Sequence, residues 1–481
     1  MPPTPAVTAF SSPATSVVAP AADAAGAGVS AAARLAYVWR HFTLAYPGAP
    51  TVRVGPAESQ PATPLQVEIS DQNAGFFDGQ LPYPPAPNWR EWRGQRVPFF
   101  FDNSPEKSLL IFSENHAVIS ADIISSAFYL LSGWQEYFSA ERDQHGRFPY
   151  AASVQKQYGF VALPVVNYYF DVLRAAVEHV SGQRLTPRRW GEQQAELAAF
   201  ISHDVDNLHG GWGEAARAAR QQTAPLALKQ LGTLAWRWLR GRPAPWANLA
   251  AVRAATARYD APATFFILPR ARPAANGTPN ADYDAQAPAL ASGWRALAAR
   301  GAELAVHGSY DAATSAEILA ADIDAVSPQK VVGNRFHYLR WEPTQTPQLV
   351  AAAGIQYDCT LGFAEHYGFR NACCLPFYPF DFQQNRAHEF LEIPLIVMDT
   401  TLHHPAYLRL DADELLSTLQ PVFAEIKKFG GVVSVLWHNQ NFSPANTRNG
   451  PAQFHALLTH LQQQGARFYT GAQLADEIKN G

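Results

Sequence analysis

From residue 195 onward, short apolar runs alternate with amphipathic stretches of helical period, and no other feature narrows the possible folds as much. Parallel strands joined by helices give a chain that pattern. Strands are expected at residues 197–202, 263–268, 303–306, 330–334, 355–357, 390–397 and 432–437, with 468–469 closing the set. Gly301 and Gly354 stand where the helices before the third and fifth strands should stop. The run 432–437 is apolar except at Ser434, as suits a strand covered on both faces. Seven or eight such units indicate an α/β fold, a (β/α) barrel that is closed or incomplete, rather than an open sheet.

In such a barrel the functional groups belong at the carboxyl ends of the strands. The first strand ends in Ser202-His203-Asp204-Val205-Asp206. Alternate side chains of an extended chain share a face, so Asp204 and Asp206 should point the same way and Val205 back into the protein. Two like charges so close are best tolerated when a cation binds one or a proton is shared. Taken alone, Asp-x-Asp is also an ordinary polar exit from a strand. His307 follows the third strand, Arg335 the fourth and His438 the seventh, while Glu392 lies within the sixth.

The first half of the chain reads differently. Residues 1–29 form a flexible Ala/Pro/Ser-rich tail, and residues 30–190 a smaller, mixed α/β accessory domain ahead of the unit 195–481. Residues 108–113 suggest a buried strand, and 122–138 and 164–180 suggest helices. Asp143 to Arg147 reads as a turn, with His145 and Arg147 as structural residues rather than ligand contacts. Between the first two barrel strands lies an insertion, 208–259, whose stretch Leu234-Ala-Trp-Arg-Trp-Leu239 reads as a helix packed on the domain ahead of a lid or a membrane-touching surface.

Composition excludes several classes. With 47% hydrophobic and 12% aromatic residues the chain can bury a large core. A net charge of −4 provides no overall basic field for nucleic acid or an anionic membrane. No apolar run is long enough to span a bilayer, and the first 33 residues lack both the basic start and the unbroken apolar stretch of a secretory signal. Cys359, Cys373 and Cys374 show no metal-type spacing and fit a reducing compartment, so a cytoplasmic location is expected.

The order of these motifs resembles the polysaccharide deacetylase family, with its NodB-type domain, also called carbohydrate esterase family four. Ser202-His203-Asp204-Val205-Asp206 is similar to its first motif, and Ala263-Thr-Phe-Phe266 to its second strand. His307-Gly-Ser-Tyr-Asp311 stands where the family has two histidines four residues apart. Val332-Gly-Asn-Arg335-Phe-His-Tyr338 resembles its arginine motif and Val435-Leu-Trp-His438 its catalytic-histidine motif. The accessory half looks like an uncharacterised domain often fused ahead of such units in bacteria. The resemblance implies a metal-dependent hydrolase that removes an N-acetyl group from an amino sugar or oligosaccharide in surface-polysaccharide metabolism. It implies Asp204 as base, Asp206 and His307 as metal ligands with Asp311 in the place of the third, and His438 as acid, with the Tyr338 backbone N–H at the oxyanion.

Those roles are physically coherent. A divalent metal held by Asp and His, zinc first, lowers the pKa of bound water. Arg335 would keep Asp204 ionised, and His438 could protonate a leaving amine. Tyr310, Tyr338, Trp341 and Trp437 are the residues expected to face a sugar ring. Asp311 in place of a histidine would lower the charge of the site by one and make another divalent metal plausible. His337 stands where the family has proline and could supply a further ligand. Two alternatives remain: a noncatalytic carbohydrate-binding protein with a degenerate metal site, and a hydrolase of a non-sugar amide.

Overall fold

The computed structural model describes residues 28–55, 66–220, 223–326, 330–443, 446 and 448–480. The tail expected at 1–29 therefore lies, apart from its last two residues, outside the described residues. Helix Ala31–Ala45 opens the described chain, and its Ser30 side chain accepts the Ala33 N–H as an amino-terminal cap. Six strands follow: β1 (Arg53–Gly55), β2 (Gln66–Ile69), β3 (Asn88–Trp92), β4 (Gln95–Phe99), β5 (Leu110–Ser113) and β6 (His116–Ile119). Four of them form a sheet in the order β1-β2-β6-β5, and β3 and β4 form a separate hairpin. Contrary to the expectation of a buried strand at 108–113, β5 is a sheet edge whose Ile111 and Phe112 are each 49% exposed. The helical period over 122–138 is carried by two helices, Ile123–Leu131 and Trp134–Phe138. They break at Gly133, whose φ of 73° is left-handed. Helix Val165–Ser181 follows and buries most of its length.

The remaining strands are β7 (Ala198–Val205), β8 (Thr264–Ile267), β9 (Glu303–Gly308), β10 (Gly333–Phe336), β11 (Tyr357–Asp358), the small hairpin β12 (Phe380–Asp381) and β13 (Arg386–Ala387), β14 (Leu391–Glu392), β15 (Val397–Met398), β16 (Val432–Leu436) and β17 (Arg467–Tyr469). They form a parallel sheet in the order β14-β11-β10-β9-β8-β7-β16-β15, and β17 pairs with the first part of β7 below the start of its pairing with β8. The run 390–397, expected as one strand, is two. Its first part pairs with β11 and its second with β16, so the two edges of the sheet are consecutive in the chain. Residues 393–396 bridge them: the Ile393 N–H donates to Asp358 O at 2.8 Å and the Ile396 N–H to Ser434 Oγ at 2.9 Å. Pro394 in this bridge cannot donate to a ladder, which suits a break between two pairings. The sheet is curled into a barrel left open at one seam.

The two halves of the chain share one continuous apolar core. Polar bonds cross between them as well. Arg370, buried, makes a two-pronged pair with Glu136 at 2.8 and 2.6 Å. The Val166 N–H donates to Ala372 O, the Cys374 N–H to Asn167 Oδ1, and Trp190 Nε1 to Gly430 O. Helices Trp212–Arg220 and Ala224–Leu239 form a hairpin after β7, but the second buries none of its described side chains, against the expectation of a helix packed on the domain. Among the described residues no helix is long and apolar enough to cross a membrane.

Candidate metal centre and its cavity

Strand alternation sets up the site. Ser202, Asp204 and, just past the end of β7, Asp206 point into the barrel, whereas His203 packs outward against Phe265, Phe442 and Phe454. Asp204 Oδ1 accepts from Arg335 Nη1 at 2.7 Å, and Asp204 Oδ2 lies 3.5 Å from His307 Nε2. Arg335 is fully buried. It also donates to Ser202 Oγ and Cys359 O, both at 3.0 Å, and its guanidinium lies 4.4 Å from the centre of the Phe266 ring. Sequence places Arg335 just past a strand at 330–334. In the structure β10 starts at Gly333, so Arg335 sits within it, with its side chain toward β7. Next to His307, Gly308 leaves no space for a Cβ, which would lie 2.6 Å from the Phe336 ring.

Asp206 is the centre of the arrangement. Its Oδ1 is 3.4 Å from His307 Nε2 and 4.0 Å from His337 Nε2, and its Oδ2 is 3.6 Å from His438 Nε2. The ligand-type atoms of Asp206, His307 and His337 all lie within 4.8 Å of one another. Asp206 Oδ1 is buried without a hydrogen-bond partner, an arrangement that costs free energy unless something else satisfies the oxygen. Both imidazoles have their Nδ1 occupied, His307 by Arg335 O at 2.7 Å and His337 by Asn280 Oδ1 at 3.4 Å, which directs each Nε2 toward Asp206. Burial would raise the Asp206 pKa, but the imidazoles, His307 first, hold it below the usual carboxylate range. Burial also opposes charge on His307, yet Asp204 and Asp206 outweigh it and raise its pKa. Burial pushes His337 down to about 4, so that it is neutral at pH 7 and has a free lone pair. An orphaned carboxylate oxygen, two oriented imidazoles and a field that favours positive charge fit a divalent cation.

The residue that completes the Asp206 and His307 group is thus His337. Asp311 is elsewhere: its Oδ2 accepts the Ala275 N–H at 2.8 Å, and its Oδ1 lies 3.7 Å from Arg340 Nη1. The four-residue spacing that suggests a ligand is interrupted by the short helix Tyr310–Thr314, which turns Asp311 away.

His438 has a partner that sequence reasoning did not identify. Asp399, fully buried, lies with Oδ1 2.7 Å from His438 Nδ1, and its Oδ2 accepts the His438 N–H at 2.7 Å and Asn441 Nδ2 at 2.6 Å. Burial alone would lower the His438 pKa, but Asp399 outweighs it and pushes it up to about 10. The signal was an acid immediately after a strand, as at Asp204 and Asp206. Reading 390–397 as one strand hid it, because Asp399 follows the separate strand β15.

These groups line a cavity of about 440 Å³. Gln144, His145 and Arg147, from the amino-terminal half, form part of its wall. The His145 ring stacks on Tyr338 with centroids 4.5 Å apart, and Arg147, gripped by Asp143 at 2.6 Å, donates from Nη1 to Tyr338 O at 2.8 Å. Tyr338 and Leu339 have φ values of 61° and 54°, a left-handed pair that bulky residues adopt only when neighbours enforce it. The turn Asp143 to Arg147 is therefore both a turn, with Gly146 at φ 75°, and a wall of the cavity.

Of the other residues singled out in sequence, Tyr338 lines the cavity, as does His404. Tyr310 lies beneath the Arg340 guanidinium, 4.4 Å from it. Trp341 and Trp437 are buried, and Trp437 Nε1 donates to Asn449 O, so both pack in the interior. His209 is exposed and bound to Asp282 O, and the three cysteines are buried and unpaired. Glu392 is fully buried beside Asp358. A larger hollow of about 800 Å³ opens at the opposite end of the barrel, bordered by Tyr259, Arg467 and Glu477. Its described lining contains no histidine or cysteine, in contrast to the histidine-rich smaller cavity.

Comparison with known proteins adds three findings. Residues 58–181 match a family described as a family of unknown function, DUF7033. No curated protein matches the chain. Among solved structures, similar ones include a protein of Mycobacterium smegmatis assigned as a polysaccharide deacetylase, at 16% identity over 60% of this chain and 92% of that one with a TM-score of 0.40. Puue allantoinase is similar at 18% identity over 60% of this chain and 91% of its own, with a TM-score of 0.37. A protein of Bordetella bronchiseptica assigned as a polysaccharide deacetylase involved in O-antigen biosynthesis is similar at 12% identity over 56% and 93%, with a TM-score of 0.29.

Proposed function

We propose that this chain is a metal-dependent hydrolase that removes an acyl group, acetyl in the first instance, from the nitrogen of an amino sugar or oligosaccharide. The observation that carries this reading is the single cavity in which Asp206, His307 and His337 converge on an orphaned oxygen, with Asp204 held by Arg335 on one side and His438 held by Asp399 on the other. Asp206, His307 and His337 would hold the metal, zinc by its preference for imidazole and carboxylate, and the ion would supply Lewis acidity to the substrate carbonyl and to water.

The protein's own groups account for the proton movements. Asp204 accepts a proton from the attacking water through Oδ2, while Arg335 on Oδ1 fixes its orientation and charge. His438 gives a proton from Nε2 to the departing nitrogen, and Asp399 at Nδ1 keeps the ring charged and aimed at the cavity. The Tyr338 backbone N–H, in a turn fixed by Arg147, is the donor for the carbonyl oxygen. Tyr338, Tyr407 and His404 supply ring faces for a saccharide.

Metal analysis and acetate release from N-acetylated mono- and oligosaccharides test the proposal together. Stoichiometric metal, acetate release and loss of both in Asp206→Ala are expected. Metal binding with no release from any N-acetylated sugar, but release from a non-sugar amide, would transfer the same site to that substrate class. Absence of stoichiometric metal after reconstitution would sink the reading.

A further inference from the structure

The hairpin between β7 and β8 carries a surface that the barrel does not use. On helix Ala224–Leu239 the residues Ala227, Leu231 and Leu234 are half-buried. Leu228, Trp236 and Leu239 are 72%, 50% and 75% exposed. Positions 228, 232, 235 and 239 recur at helical spacing and form one stripe of Leu, Gly, Ala and Leu, with Trp236 beside it and Trp238, also exposed, on its flank. A contiguous water-facing apolar stripe of this kind marks an interaction surface.

Charge identifies what covers it. Between residues 215 and 259 there is no Asp or Glu, whereas Arg217, Arg220, Lys229, Arg237, Arg240 and Arg242 lie within the hairpin and its exit. The chain as a whole has a net charge of −4, so the hairpin concentrates positive charge that the rest of the molecule lacks. Arg240 and Arg242 sit over the Trp236 ring at 5.7 and 5.9 Å, which keeps the cations at the edge of the apolar stripe. A second copy presenting the same face would bring like charges together. Nucleic acid would use the cations but leave Leu228 and Leu239 in water. An anionic bilayer satisfies both features, because leucine and tryptophan enter the headgroup boundary while lysine and arginine meet the headgroups.

We propose that the hairpin of helices Trp212–Arg220 and Ala224–Leu239 docks on an anionic lipid surface, with Leu228, Trp236 and Leu239 entering it and Lys229 and Arg240 on the headgroups. The root of the hairpin is tied to the cavity rim: Asn439 Nδ2 donates to both Asn207 O and Trp246 O at 2.9 Å, and Asn207 lines the cavity.

The test is cosedimentation of the full chain with phosphatidylcholine vesicles, with and without phosphatidylglycerol. Binding to the anionic vesicles is expected to be about tenfold or more tighter than to the neutral ones, and to weaken as salt is added. Trp236→Glu with Leu239→Glu should lose about tenfold or more of that binding with unchanged thermal unfolding, since both side chains are exposed. If that variant unfolds, Lys229→Glu with Arg240→Glu is read in its place. The proposal is overturned if the chain ignores anionic vesicles, binds neutral ones equally, or binds as well in both variants. It is also overturned if the chain is a dimer that the variants convert to monomer, or if it retains RNA without binding vesicles.

Discussion

The barrel buries two pairs of acids, and their surroundings are opposite. Asp204 and Asp206 face Arg335, His307, His337 and His438. Asp358 and Glu392, register partners on β11 and β14, have only neutral donors among the bonds described: the Asn334 amide at 2.5 Å, the Thr360 N–H at 2.8 Å and the Leu361 N–H at 2.7 Å. Burial raises the pKa of both members of the second pair, and Glu392, further raised by Asp358, lies well above 4.5. Burial alone makes an acid keep its proton. Burial beside His307, His337 and His438 instead holds Asp206 below the usual carboxylate range and leaves it anionic.

The comparison breaks most visibly at Arg335. Arg335→Met should leave Asp204 buried without its counter-charge, costing about 3–5 kcal/mol of stability and abolishing hydrolysis. Urea unfolding and acetate release check this; a variant as stable as the parent would show that the pair contributes little. His337→Ala should weaken metal affinity by about a hundredfold or more, beyond the ten- to hundredfold cost of losing an outer partner. Asp311→Ala should leave the affinity within about threefold, because Asp311 touches none of the three proposed ligands. Competition with a chelator reads both, and the reverse ranking would return Asp311 to the site.

Asp399→Asn is expected to lower kcat by about a hundredfold with metal content intact, as removal of support from a general acid should. Single-turnover kinetics on the metal-loaded variant measures it, and an unchanged kcat would remove His438 from the proton transfer. The smallest effect lies in the second pair. A buried acid whose folded pKa is raised contributes stability that is full below its unfolded value and is lost as pH rises through the folded one. Glu392→Gln should therefore stabilise the protein at pH 8 by about 1–2 kcal/mol and have little effect at pH 4. Urea midpoints at the two pH values test the sign.

Much of the site is legible in the sequence because it depends on alternation and order. Asp204 and Asp206 share a face as period two requires, and His307, Arg335 and His438 are carried on barrel strands or just past their ends. What the sequence left open or missed depends on chain direction over longer distances. Asp311 is turned away by a short helix, His337 is turned inward by the left-handed turn at Tyr338, and Asp399 follows a strand whose start is not visible in a continuous apolar run. Trp341 and Trp437 carry the residue type of a sugar platform, but burial decides their role.

The sequence by itself determined the repeating β/α pattern, the inward-facing acids of the first strand and the predominantly basic charge of the insertion, because each follows from local period or composition. Only the tertiary structure decided which histidine joins Asp206, that residues 143–147 wall the cavity, and that residues 390–397 supply both edges of the sheet. Those outcomes depend on contacts between segments far apart in the chain, such as Arg147 with Tyr338 and Asp399 with His438, which no local pattern encodes.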